Sequence, residues 1–239
     1  MKGNLCIVKR TMMCDNMCGI GRYRSSDLMA SLICDNFTML IVMNRFDIPI
    51  GFSEKTIEAV CRENNVHTTT FLAVVNLLLR QNDNSYRPPL EGVSPEALIA
   101  FLRREHHYYY NERIPILRKK LLAVLGEDTI SHLIIQYFND YVLHVEEHFR
   151  YEEEELFPYV MRLVAGEKSN GYTVKDYIKK HDHIDEPLTE FKNVIIKYYN
   201  HSSNEIISVI YHLLSCANDL QLHNMIEDRL LVPLAQTME

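Results

Sequence analysis

His148-Phe-Arg-Tyr-Glu152-Glu-Glu-Glu-Leu-Phe-Pro158 and His223-Asn-Met-Ile-Glu227-Asp-Arg-Leu-Leu-Val-Pro233 share one pattern, His-x3-Glu-x5-Pro, seventy-five residues apart. At this chain's content of His, Glu and Pro, chance supplies roughly 0.03 such matches, so two of them point to a duplicated site. Residues four apart on a helix lie on one face, about 6 Å from each other. A neutral imidazole and a carboxylate so placed can reach one inward-facing metal centre. The proline removes a backbone donor and clashes with the preceding turn, so each helix is expected to end or bend there.

Around these stretches the apolar residues recur at helical spacing and strand-like alternation is scarce, which predicts an all-α chain. Ser94-Pro95-Glu96 opens a first long helix reaching Leu125 and stopping at Gly126. A second runs from Thr129 through Pro158. After the break at Gly166 to Gly171, a third is capped by Thr173 and extends to Tyr199, and Ser202-x2-Glu205 reads as a capping box opening the fourth. Four such helices with short connections predict an antiparallel four-helix bundle. Upstream, Asp27 to Arg45 is rich in Leu, Met and Ile, with Leu28, Leu32, Ile33, Phe37, Leu40 and Ile41 as its apolar stripe; Ser53 is a candidate N-cap, and Thr68 to Leu79 completes a small helical unit. The expected organisation is a tail over residues 1–24, a small helical domain over 25–82, a linker over 83–93 with two adjacent prolines, and the bundle over 94–239.

The chain has 239 residues, an apolar fraction of 47% and a formal net charge of −7, an ordinary globular composition that argues against nucleic acid as a partner. No stretch approaches the ~18 apolar residues of a membrane span, and the N-terminus is a poor signal peptide, so a cytoplasmic location without membrane attachment is expected. Six scattered cysteines predict reduced thiols; Cys14 and Cys18 lack the second ligand pair of a structural zinc site.

Two His/Glu pairs supply part of a site, so the other two helices should contribute. On the third, Ile184, Leu188, Phe191 and Ile195 follow His181 at helical spacing, whereas His183 is rotated ~200° from His181. On the first, Tyr110, Ile114 and Leu121 share a face with His107, which favours it over His106. The predicted ligands are therefore His107, His148, Glu152, His181, His223 and Glu227. Four imidazoles and two carboxylates match two ions, and mixed N/O donors favour iron over a thiolate-type zinc site, with manganese or zinc as alternatives. Asp185 and Asp219 are candidate acceptors for ligand ring N–H groups. His144 is either a further ligand or a hydrogen-bonding neighbour. An isolated His on an apolar face is more often a satisfied core residue; the repetition and the spread over all four helices favour metal binding here.

These residues resemble the hemerythrin-like HHE cation-binding proteins. The resemblance is carried by Arg104-Glu-His-His-Tyr-Tyr-Tyr before Pro115, by His148-x3-Glu152 into Leu156-Phe-Pro158, by Lys180-His181-Asp182, and by Asp219-Leu-x2-His223-x3-Glu227 into Pro233. It covers residues 94–239 and is greatest toward the repair-of-iron-centres (ScdA-type) di-iron proteins, since Asp185 stands where oxygen carriers have a second His on the third helix. Arg45 to Cys61 is similar to the short domain preceding the bundle in those proteins, with Pro49-Ile50 in place of their Cys-Cys before Gly51. The resemblance implies a non-haem di-iron protein of the nitrosative and oxidative stress response. Such a protein binds or reduces nitric oxide, or supplies iron to iron–sulfur client proteins. A dioxygen or nitric oxide carrier or sensor, and an interaction module with a structural metal, are the alternatives. Without its thiol pair the N-terminal unit is expected to serve docking or self-association, as in a homodimer.

Overall fold

The computed structural model describes residues 23–167, 171–180, 185–199 and 203–239. Among these the chain is all-helical. Four short helices come first: α1 (Met29–Asp35), α2 (Met39–Arg45), α3 (Ile57–Glu63) and α4 (Thr68–Leu79). Thr56, not Ser53, caps α3, accepting from the Ala59 N–H at 3.2 Å. Ser53 instead sits at a positive φ of 51°, inside the turn that leads up to Thr56. The stripe expected on α1 and α2 is also rephased. The chain turns at Asn36 to Thr38, so Met29, Leu32, Met39, Val42 and Met43 are buried while Phe37 and Leu40 face outward.

Ser94 caps α5 (Pro95–Tyr108) as expected, accepting from the Ala97 N–H at 3.0 Å. The helix does not end at Pro115. It passes through a π-helical turn, Tyr109–Arg113, into α6 (Ile114–Val124). The same happens twice more: α7 (Thr129–Tyr151), capped by Asp128, passes through Glu152–Leu156 into α8 (Phe157–Val164). After α9 (Val174–Lys180) and α10 (Asp185–Tyr198), α11 (Asn204–Ile226) passes through Glu227–Leu231 into α12 (Val232–Met238). Each π-turn begins six residues before its proline, at Tyr109, Glu152 and Glu227. An α-helix would set the proline ring against the carbonyl four residues back; one extra residue in the turn relieves that clash without ending the helix. The prolines thus mark π-turns and not helix ends. The cap of α11 is Ser203, which accepts from Ile206 N–H at 3.3 Å, and Ser202 lies outside the described residues.

Two hydrophobic clusters result. One joins the N-terminal helices to the start of α5 and to α8, α9 and α12, with Phe46 4.8 Å from Phe101 and 5.2 Å from Phe71 between ring centroids. The other fills the space among α6, α7, α10 and α11, around Leu121, Phe138, Phe191 and Leu213. The segment between the small helices and α5 is fastened at both ends. Ser94 N–H donates to Thr70 Oγ1 at 2.9 Å, and Arg229 donates to the Asp83 carbonyl at 3.1 Å and to Asn84 Oδ1 at 2.9 Å. Cys34, Cys61 and Cys216 are free thiols, and burial pushes the last two up to about 11. No helix among the described residues is long and apolar enough to cross a membrane.

Candidate metal centre

Between the two hydrophobic clusters lies a layer of buried polar side chains: His106, His148, Glu152, His223 and Glu227. The i, i+4 spacing brings His148 Nε2 to 2.5 Å from Glu152 Oε1, and His223 Nε2 to 3.5 Å from Glu227 Oε2. Ligand atoms of these four residues all lie within 4.8 Å of one another. Glu152 is at the middle, fully buried, with Oε2 also 2.9 Å from His106 Nε2 and 3.4 Å from His223 Nε2. The helical repeat thus brings the His/Glu pairs at the ends of α7 and α11 together.

The first-helix residue needs correction. His106 is buried at 3% exposure and His107 is exposed. Counting back from buried Ile114 by α-helical steps of four and three gives Tyr110 and His107. The π-turn makes the first step five, giving buried Tyr109 and then His106. One inserted residue therefore rotated the predicted face. His181 and His183 lie outside the described residues; α9 brings the chain to the site at Tyr177, whose hydroxyl donates to Glu227 Oε2 at 3.3 Å. His144 is half-buried and outside the cluster of four.

The ring acceptors also differ from expectation. His223 Nδ1 lies 3.0 Å from Glu105 Oε2, and His106 Nδ1 lies 3.0 Å from Glu153 Oε1. Asp219 instead pairs with Arg113, and the Asp185 side chain lies outside the described set. With Nδ1–H donating to a carboxylate, each ring presents the Nε2 lone pair to the centre. Glu105 carries a signal that the sequence reading passed over. It precedes Pro115 by ten residues, as His148 precedes Pro158 and His223 precedes Pro233, so it occupies the same register on the first helix. Phe149 stacks on His106 at 4.0 Å and Phe157 lies 5.5 Å away, so aromatic rings wall off water.

The donor set fits a metal ion. Glu152 Oε1 and His106 Nε2 are buried without a hydrogen-bond partner, although each has an opposite group within 2.9 Å. Close approach without hydrogen-bond alignment is what lone pairs directed at a shared ion produce.

Burial alone would raise the Glu152 carboxyl; the charge of His148 and the contacts with His106, His148 and His223 outweigh it and hold it well below the usual carboxylate range. Burial alone would lower His223, but the Glu227 charge and the contacts with Glu105 and Glu152 carry it well above the usual histidine range; His106 is raised in the same way by Glu152 and Glu153. In the metal-free protein the raised imidazoles stabilise fully below pH about 6.5 and lose that contribution as pH rises through their folded values. The lowered Glu152 contributes above pH about 4.3 and loses its contribution as pH falls. The metal-free thermal midpoint should therefore be highest between these limits and fall toward pH 9. Metal binding requires neutral rings, so the midpoint gained on loading should widen as pH rises. A metal-free midpoint that climbs from pH 7 to 9 would contradict this assignment.

A second expectation separates the adjacent histidines. His106→Ala should lower metal affinity by at least about 100-fold, and His107→Ala should leave it within about twofold, because only the first reaches Glu152. Metal analysis after gel filtration reads both, and the reverse order would restore His107 as the inward residue.

Taken together, the helices and the buried His/Glu layer define a helical cation-binding protein. Residues 97–235 match the hemerythrin HHE cation binding domain, a span that contains every member of the layer. The chain belongs to that family. A comparison of the whole chain with curated proteins finds no match.

Proposed function

We propose that the long helices form an antiparallel four-helix bundle holding two iron ions on His106, His148, Glu152, His223 and Glu227, with His181 as the sixth donor. The observation that carries this reading is Glu152: a fully buried carboxylate with three imidazole nitrogens within 3.4 Å. A carboxylate can bridge two ions and offset their charge in a poorly solvated interior. Iron held there would supply redox chemistry toward a small ligand. The chain's own residues prepare the site. Glu105 and Glu153 fix two ring tautomers, Tyr177 steadies Glu227, and Phe149 and Phe157 exclude water.

On this basis the protein is a cytoplasmic di-iron protein of the nitrosative and oxidative stress response, of the ScdA type, that binds or reduces nitric oxide or supplies iron for iron–sulfur centre repair. The test is anaerobic reconstitution followed by iron analysis and optical spectra under dioxygen and nitric oxide. Close to two irons per chain and nitric oxide turnover with a reductant support it. Reversible spectra without turnover favour a carrier or sensor instead, and one iron or none overturns the binuclear reading.

A further inference from the structure

A cavity of about 530 Å³ lies between α2, α5 and α11, bounded by Arg45, Tyr108, Leu78, Leu214, Asp219 and His223. Its mouth is apolar, with Leu40 and Leu214 each more than one third exposed. Its floor is not. Arg45 is 4% exposed, its guanidinium carbon 3.7 Å above the Tyr108 ring, and its Nε has no hydrogen-bond partner. Its Nη1 donates only to Asn44 Oδ1 on the same helix.

A buried guanidinium needs a counter-charge. Neither carboxylate on the cavity wall forms an ion pair with it: Asp219 is held by Arg113, and Glu105 accepts from His223 Nδ1. The Arg45 guanidinium therefore lies beside an apolar space with its Nε unpaired and neither wall carboxylate in ion-pair contact with it. Cavities of roughly 300–1,000 Å³ hold small organic ligands, with apolar walls supplying affinity and a few polar groups fixing orientation.

We propose that this cavity binds a small monocarboxylate with an apolar body, its carboxylate on Arg45 and its hydrocarbon toward Leu40 and Leu214. The planar guanidinium can present two parallel N–H groups to a carboxylate, which an ammonium cannot. Because the same cavity is bounded by His223 and Glu105, the ligand sits one side chain from the metal centre.

Calorimetric titration of the full chain with octanoate and with octanamide, which has the same shape and no charge, tests this. Octanoate should bind at least about tenfold tighter than octanamide. Arg45→Gln should bring the two within about threefold, and Leu214→Trp, placed at the exposed mouth, should weaken both. The comparison on the unaltered chain is decisive by itself, whether or not the Arg45 variant folds. Equal affinity for the two compounds, no octanoate binding, or a preference that survives Arg45→Gln in folded protein would overturn the proposal, as would Leu214→Trp binding both as tightly as before.

Discussion

Glu152→Gln is expected to leave the protein unable to retain iron through gel filtration and to destabilise the metal-free chain by about 3–5 kcal/mol, because it removes a charge that three buried imidazoles share. Shape is nearly conserved, so the loss reads the charge and not the packing. The histidines supply a second readout. In the metal-free variant His106 should titrate at lower pH, since Glu152 is the first of the groups that raise it against burial. Iron analysis, denaturant unfolding and ring-proton titration by NMR check the three parts. Retention of normal iron with unchanged stability would show that Glu152 is not the centre of the site.

Phe101→Ala carries the second large effect. Phe101 is 1% exposed and lies on α5, in contact with Phe46, the residue that caps the C-terminus of α2. Truncating a buried Phe costs roughly 3–5 kcal/mol through lost transfer energy and the cavity left behind. The same cluster contains Phe71 of α4, Phe157 beside His106, and Leu230 in the last π-turn. The N-terminal helices and the residues beneath the metal layer should therefore unfold together, in one transition shifted as a whole. Circular dichroism and tyrosine fluorescence should agree with each other on one midpoint in each protein, and that midpoint should be lower after the substitution. Two separated transitions, of which only one moves, would instead support independent units over residues 25–82 and 94–239.

The sequence made the His/Glu pairs legible because spacing by four has one meaning on a helix, and a repeated motif needs no knowledge of what lies between. The cap at Ser94 was equally local, a side chain bonding to an N–H three residues ahead. His106 was not legible from periodicity. Its phase depends on a π-turn, and a count at 3.6 residues per turn is wrong on one side of any such turn by a whole residue. The error was nevertheless bounded: Pro115, at the same spacing from Glu105 as the other two prolines from their histidines, marked where the count would slip. Glu105 and Glu153 were hidden for a different reason. A charged residue on a helix is ordinarily solvated, and only the approach of a second helix turns it into the acceptor for a buried ring.

The three π-turns also have a consequence for sequence change in this chain. Each joins two helix segments whose buried faces are out of step by one residue, about 100° of rotation, with the segment before it serving the polar layer and the one after it packing its own hydrophobic partners. A single-residue deletion between Glu152 and Pro158 would keep every ligand, every proline and the His-x3-Glu spacing, yet force either the α8 face or the α7 face out of register. Length between ligand and proline is thus as much a part of the site as the ligands themselves, and substitutions are tolerated there on terms that insertions and deletions are not.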